Sequence, residues 1–422
     1  DFAKMMSWIP EYDFVLSRQS SFLEQAIIFK KGLLTVLGQD EPFAFDDYYF
    51  AGRPPLVVDF LYSCGDIKQE ICVVNMHLKC CGDGLTTMAL RLSEELGLNS
   101  DFFDSWETVD NAVIHSPSDR ITQLPLPTNS GIYASIVPRS VYDTALLNRV
   151  RSVGVDVKEG CQFTSIKLTE AGAEIEFENL GTVKTKFVIA ADGAWSPVRR
   201  ALGLSNKGSY GEWLAFRQYV SGVKPDATNL HVWFEKDLLP GYAWSFPLPN
   251  QRANVGFGIL RNDFGPSNKT GQLANDLLNR PTLRSVLGER IEVENRPTAW
   301  PIPSQINKAI LTHGPVLFVG DAAAATDTLT GEGIGQALLT GILAGKAIAS
   351  NKSEVTVSTY YRKSVHNHLV ADHRMSVLMQ KILTYPWSTE AALRLVSVTK
   401  WSRKNLETGD IWFDQEMHQK GD

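Results

Sequence analysis

Three stretches combine residue types that can hold a ligand or do chemistry on one. The first is VKTKFVIAADGAWSPVRRALGL (183–204). An apolar run fit for a buried strand leads into Asp192-Gly193 and then a short helix. Gly193 has no side chain, so the backbone there can approach a ligand closely. The second is GPVLFVGDAAAATDTLTGEGIGQALLTGILAGKAIA (314–349). VLFVG reads as a central parallel strand ending at Gly320. Asp321 follows at its carboxyl end, where open α/β sheets bind ligands, and its carboxylate suits ligand hydroxyls. Gly331, Glu332, Gly333 and Ile334 then open a long helix. The free N–H groups and positive end of that helix suit an electron-rich or anionic ligand. The third is PGYAWSFPLPNQRANVGFG (240–258). Tyr242, Trp244 and Phe246 alternate along a strand and therefore share a face. Such a face walls an apolar pocket or packs a core.

The elements that must position these residues belong to an ordinary globular chain. Of 422 residues, 44% are hydrophobic and 21% charged, with a net charge of −6. This excludes a disordered chain, a collagen and a disulfide-packed mini-protein. Mild acidity gives no general pull toward nucleic acid. The five cysteines are odd in number and include no C-x-x-C pair, so a reduced, cytoplasmic setting is expected. No signal peptide is expected from the opening residues, and no apolar run is long enough to predict a spanning helix. His366, His368 and His373 have no carboxylate or thiol partners at ligand spacing, so no metal is expected. Strands are predicted at 25–31, 56–62 and 70–78, with Gly65-Asp66 as a hairpin loop. Met88, Leu92 and Leu96 predict a helix over 86–98 that stops at Gly97. Residues 378–406 mix apolar and basic side chains. They predict helices packed on the main body, or a surface that leans on a membrane.

Together the three stretches resemble the monooxygenase-like flavoprotein superfamily, with its DG turn and its GD motif before a flavin-facing helix. Pro240, Tyr242, Trp244, Phe246, Pro247, Gly256 and Gly258 resemble the P-x-Y-x-W-x-F-P and G-x-G signature of geranylgeranyl reductases. CGDGLTTMALRLSEELGL (81–98) resembles the same family's C-G-D-G-L-T-P-R segment, with Thr87 and Met88 in place of Pro-Arg. VPRSVYDTALLNRVRSVGVDV (137–157) resembles its R-x-x-x-D helix, with Arg139 and Asp143 in register. The resemblance implies FAD as cofactor, held by Arg139, Asp192, Gly193, Gly320, Asp321, Gly331, Glu332, Gly333 and Ile334. It implies NAD(P)H or another reductant as electron donor. It places Cys81 near the flavin face and makes Cys81 and Tyr242 the catalytic candidates. Tyr242, Trp244, Phe246, Pro247, Gly256 and Gly258 would line a slot for an isoprenoid lipid.

The first 80 residues read differently. No G-x-G-x-x-G precedes Cys81, so the family's pyrophosphate-binding βαβ unit has no fingerprint there. YDFVLSRQSSFLEQAIIFKKGLLTVLG (12–38), RPPLVVDFLY (53–62) and VVNMHLKCCGDG (73–84) resemble the middle of an endonuclease/exonuclease/phosphatase domain. Asn75 and His77 match its N-x-H-L strand, but its later D-x-N and D-H motifs do not follow. The two resemblances meet at Cys81–Gly84, as a chimera would.

The expected fold is α/β: a mostly parallel FAD-binding sheet lacking its first βαβ unit, an antiparallel substrate-domain sheet, and C-terminal helices. The expected divisions are 1–80, a nuclease-like fragment; 81–350, interleaved; and 351–422, helical. Within 81–350, FAD-binding parts fall at 81–110, 136–204 and 300–350, and substrate parts at 111–135 and 205–299. The expected activity is reduction of isoprenoid C=C bonds by hydride from reduced flavin. A flavin monooxygenase, an inactive remnant and a metal-dependent phosphodiesterase fragment are the alternatives. Peripheral membrane association fits a lipid substrate; no nucleic-acid partner is expected.

Overall fold

Two parallel strands carry the ligand-facing turns. β12 (Val188–Ala190) and β20 (Val316–Phe318) pair Val188 with Val316 and Ala190 with Phe318, and all six residues are buried. β19 (Thr312–His313) closes this sheet antiparallel to β20. The computed structural model to which these strands belong describes residues 61–62, 70–74, 81–98, 107–109, 111–125, 134–204, 211–261, 273, 276–350 and 353–398.

Helices pack on the parallel pair because each has an apolar face to bury. α1 (Thr87–Glu95) follows the predicted spacing. Thr86 caps it by accepting the Ala89 N–H at 3.3 Å. Gly97 ends it at φ 85, where the Leu98 N–H returns to the Ser93 carbonyl at 2.9 Å. α2 (Arg139–Ser152) begins after Pro138 without a side-chain cap of its own. α3 (Pro197–Ala201) is capped by Ser196. α5 (Ile334–Ser350) is the long helix opened by the glycine turn, with 13 of its 17 residues buried. α6 (Glu354–Val365) lies beside it, and the Tyr361 hydroxyl donates to the Phe318 carbonyl at 2.7 Å. One apolar core runs through these elements from Leu85 to Leu369. A three-stranded antiparallel meander of β9 (Phe163–Thr169), β10 (Gly172–Phe177) and β11 (Gly181–Thr185) packs on it through Phe163, Ile175 and Val183.

The large sheet has eight strands. β5 (Asn111–His115), β6 (Ile121–Pro125), β13 (Trp213–Ser221), β14 (Leu230–Trp233), β15 (Tyr242–Leu248), β16 (Arg252–Leu260) and β17 (Glu292–Val293) run in the order β17-β13-β16-β15-β14-β5-β6. β18 (Thr298–Ile302) also pairs with β13. All pairs are antiparallel except β14 with β5. One face buries Phe216, Trp233, Val255 and Phe257 against α4 (Pro281–Leu287). Fully burying each such side chain contributes roughly 1.5–3 kcal/mol. The opposite face carries the aromatic row.

Two small sheets complete the described strands. β3 (Gly84–Thr86), β7 (Ala134–Ile136) and β4 (Glu107–Thr108) pair antiparallel in that order. β1 (Leu61–Tyr62) pairs antiparallel with β2 (Glu70–Val74), which runs parallel to β8 (Asp156–Glu159). The predicted strand 25–31, the Gly65-Asp66 loop and the nuclease-like Asn75 and His77 lie outside the described residues. So do 399–406 of the apolar and basic stretch. Its described part forms α7 (Ala371–Ile382) and α8 (Pro386–Val398). A π-helical turn, His366–Val370, joins α6 to α7 and shifts the register. Hence His366 is exposed while His373, seven residues on, is buried. No described helix is long and apolar enough to cross a membrane.

Candidate active site

Backbone chemistry brings three segments together. The 330–335 turn, the 81–86 segment and the β15 aromatic row all meet. Asp327 shapes the first. Its Oδ1 accepts the Leu329 N–H at 3.0 Å, the Thr330 N–H at 2.7 Å and the Thr330 hydroxyl at 2.9 Å. Its Oδ2 accepts the Ser376 hydroxyl of α7 at 2.5 Å. Gly331 completes the turn at φ 69, a conformation side chains resist. Asp327 and Ser376 were not among the predicted site residues. Asp327 is an Asx-turn former five residues before Glu332, and that spacing is its only sequence signal.

Asp321 stands at the carboxyl end of β20, as predicted. Its Oδ1 accepts the Thr326 hydroxyl at 3.0 Å. A Cβ on Gly333 would stand 3.1 Å from Thr326 Oγ1 and 3.7 Å from that same Asp321 oxygen. The glycine therefore keeps backbone open beside the carboxylate. Gly320 (φ 55) is tied to α5, its N–H donating to Thr340 Oγ1 at 3.0 Å. Ile334, first residue of α5, is buried in the core. Glu332 accepts the Thr86 hydroxyl, which stitches the starts of α1 and α5. Burial, with Asp327 nearby, pushes the Glu332 carboxyl up to about 7 despite that bond.

Asp192 and Gly193 follow the neighbouring strand β12. The Asp192 carboxylate faces its own turn: Oδ1 accepts the Ser196 hydroxyl at 2.5 Å and Oδ2 the Val198 N–H at 2.8 Å. It caps α3, so Gly193 at φ 71 is the part of this turn that keeps backbone free of a side chain. Arg139 is buried in an ion pair with Asp143, Nε to Oδ1 at 3.0 Å.

The aromatic row lies where strand alternation puts it. Tyr242 and Trp244 sit edge to face at 6.1 Å between centroids, and Phe246 follows at 6.1 Å. The Tyr242 hydroxyl donates to the Thr330 carbonyl, linking the row to the glycine turn. Burial raises its pKa well above the ordinary phenol value, so it keeps its proton. Gly256 pairs with Trp244 across the strands and Gly258 with Tyr242. A Cβ on Gly256 would stand 2.4 Å from the Trp244 ring, whereas one on Gly258 would meet nothing within 4 Å. Pro247 is a correction. With a side-chain period of two it faces the α4 side, paired with Ala253, and not the aromatic row.

Cys81 is a half-buried thiol on the segment facing this row. Cβ atoms on Gly82 and Gly84 would stand 3.1 and 3.2 Å from the Phe246 ring. Asp83 lies between them, fully buried at φ 65. Its carboxylate accepts from the Tyr219 hydroxyl at 2.6 Å, Asn254 Nδ2 at 2.8 Å and the Arg139 N–H at 3.2 Å. Sequence reasoning missed this acid and its partners, which lie up to 171 residues away.

The residues present fit a flavin nucleotide. Parallel strands lead into Gly193 and into Gly320-Asp321, and the Gly331–Gly333 backbone lies beside a carboxylate and a helix start, Gly331 exposed. Gln336 Oε1, buried in the first turn of α5, has no hydrogen-bond partner among the described residues. Among those residues, no group of three or more His, Cys, Asp and Glu side chains is placed to hold a metal.

The fold and this site define a flavoprotein, and the comparisons agree. Residues 77–354 match the family described as FAD binding domain. A digeranylgeranylglycerophospholipid reductase of Methanococcus vannielii is 30% identical over 309 residues, 70% of this chain and 76% of the relative. Digeranylgeranylglycerophospholipid reductase 1 of Methanopyrus kandleri is 29% identical, over 68% of this chain and 74% of the relative. A geranylgeranyl bacteriochlorophyll reductase-like structure from Thermoplasma acidophilum shares the fold with a TM-score of 0.70. It is 20% identical, covering 95% of this chain and 96% of that one. The flavin-dependent brominase Bmp2 shares it at 0.65 and 16% identity, over 95% and 94% of the chains. This chain belongs to the FAD-binding-domain flavoproteins, in the family of the geranylgeranyl reductases. It is an FAD-dependent oxidoreductase of that type.

Proposed function

We propose that the chain reduces carbon–carbon double bonds of an isoprenoid lipid, with NAD(P)H or another reductant as electron donor. One observation carries the reading: the Tyr242–Trp244–Phe246 row is tied to the Gly331 turn through the Tyr242–Thr330 hydrogen bond. An apolar chain lying on that row would therefore lie beside the cofactor turn. The digeranylgeranylglycerophospholipid reductases supply the substrate class. When bound, reduced FAD would supply a hydride to one alkene carbon while a proton reaches the other. Asp321, Gly320, the Asp192-Gly193 turn, Arg139 and residues 331–334 would hold it. Trp244 and Phe246 would orient the chain and exclude water, with open space at Gly258 for its methyl branches. Cys81 and Tyr242 would be the catalytic side chains in this reading. The 111–135 and 205–299 parts would serve the substrate, and the 81–110, 136–204 and 300–350 parts the cofactor.

The lipid would be drawn from a membrane. Met375, Leu378, Ile382, Tyr385 and Trp387 are exposed on and just after α7, Trp387 at 74%. Leu383 and Leu393, on the buried sides of these helices, belong to the apolar cluster that reaches Tyr242.

The test is anaerobic. Full-length protein loaded with FAD and reduced with dithionite is mixed with a digeranylgeranylglycerol phospholipid. Mass spectrometry should show two added hydrogens for each alkene reduced, with flavin absorbance returning. Flavin that reoxidises only with oxygen, releasing peroxide and leaving the lipid intact, would sink the reading in favour of a monooxygenase.

A further inference from the structure

The Asp83 carboxylate is fully buried, yet it faces donors from three separate elements. Tyr219 comes from β13, Asn254 from β16 and the Arg139 N–H from the start of α2. That N–H is one of the donors α2 leaves unsatisfied after Pro138, so Asp83 caps the helix from 56 residues away. Asn254 spends its other contacts on the site. Its Nδ2 also donates to the Cys81 carbonyl at 2.7 Å, and its Oδ1 accepts the Trp244 Nε1–H at 3.2 Å. The Asp83 N–H points at Cys81 Sγ at 3.4 Å. Arg217, whose guanidinium lies over the Tyr219 ring at 4.3 Å, offsets the charge.

The amide of Asn254 has one orientation that satisfies both neighbours. Its NH2 must face the Asp83 carboxylate and its oxygen must face the Trp244 indole. We propose that Asp83 is a positioning residue: through Asn254 it locks the Trp244 indole and the Cys81 turn in fixed relation, and so sets the shape of the slot between them. The proposal rests on the reading that this slot takes the alkene chain. It adds a residue outside the aromatic signature that decides how that chain sits. Replacing the carboxylate by an amide forces a choice. Either the new NH2 stands against the Arg139 N–H, which uncaps α2 and disturbs the Cys81–Asp83 turn, or it stands against the Asn254 NH2, which then flips and abandons Trp244.

The experiment compares wild type, Asp83→Asn and Tyr219→Phe, all as full-length protein with FAD added. Iodoacetamide alkylation at Cys81 is followed by peptide mass mapping, with buried Cys161 as reference. Steady-state reduction of a digeranylgeranylglycerol phospholipid gives kcat and KM. Asp83→Asn should speed Cys81 alkylation and lower kcat, each by about tenfold, with KM and FAD affinity changed less than about threefold. Tyr219→Phe keeps the charge, removes one donor and should fall between; it stands in if Asp83→Asn does not fold. Wild-type alkylation in both Asp83→Asn and Tyr219→Phe, or Cys161 alkylation rising as much as that of Cys81, would overturn the proposal. Alkylation does not require turnover. A wild type that never reduces the lipid therefore fails the functional reading while still judging Asp83.

Discussion

The indole of Trp244 lies so close to Gly256 that a Cβ there would stand 2.4 Å from its ring and 2.2 Å from the Phe216 carbonyl. Two residues along, Gly258 faces open space. The two glycines of one G-x-G string therefore do different things. Gly256→Ala should cost about 2–4 kcal/mol, since backbone and a buried ring cannot both yield. Gly258→Ala should unfold within about 1 kcal/mol of wild type yet narrow the slot and raise KM for a branched lipid. Thermal unfolding of both variants, with lipid kinetics on the second, checks this; equal stability losses would refute it.

Glu332 should make the protein less stable as pH rises. Its folded pKa, about 7, lies above its unfolded value near 4.5. Its contribution is therefore full below pH 4.5 and lost as pH climbs through 7, by about 2–3 kcal/mol in all. Glu332→Gln keeps an acceptor for Thr86 and removes the charge. It should raise Tm at pH 8 and leave it nearly unchanged at pH 5. A Tm gain of the same size at both pH values would show that Glu332 is not the group responsible.

The His115–His231 pair should act in the opposite sense. His115 Nε2 and His231 Nδ1 are 3.0 Å apart, and both rings stack on Trp233. Burial lowers each pKa to about 4. Between about pH 6.5 and 4 the unfolded chain binds more protons than the folded one. Stability thus falls as pH drops through that window, on the order of 3 kcal/mol for the pair. Urea unfolding at pH 7, 5.5 and 4.5 should show the slope in wild type and a flatter profile in His115→Gln/His231→Gln.

The clasp on the cofactor turn should be separable from the cofactor contact itself. Asp327→Ala frees Leu329, Thr330 and Ser376 together and should weaken FAD binding about tenfold or more. Asp321→Ala should weaken it comparably, with little effect on stability. Flavin fluorescence titration measures both. Unchanged affinity in Asp321→Ala would remove that residue from the cofactor site.

Trp387→Ser and Leu378→Ser should cut co-sedimentation with phospholipid vesicles severalfold while leaving unfolding stability within about 1 kcal/mol of wild type, because both side chains are exposed. Equal binding by wild type and variants would place the lipid contact elsewhere.

What the residues determined by themselves was local and periodic. An apolar run ending in Gly320-Asp321, a glycine turn before a long helix, and Tyr242, Trp244 and Phe246 at period two are all visible in one dimension. Neighbours three, four or two positions apart share a face by backbone geometry alone. The helix stop at Gly97 was legible for the same reason. Tertiary structure decided what each residue faces beyond its own strand or helix. Pro247 turns away from the slot because its parity is odd relative to Tyr242. Asp192 closes its own helix because Ser196 and Val198 reach it first. A π-helical turn separates His366 from His373 in environment. Asp83 became a hub only when β13 and β16 were laid side by side, with Tyr219 opposite Asn254. Cross-strand register and buried hydrogen bonding depend on which elements the whole chain brings together, and no local spacing encodes that choice.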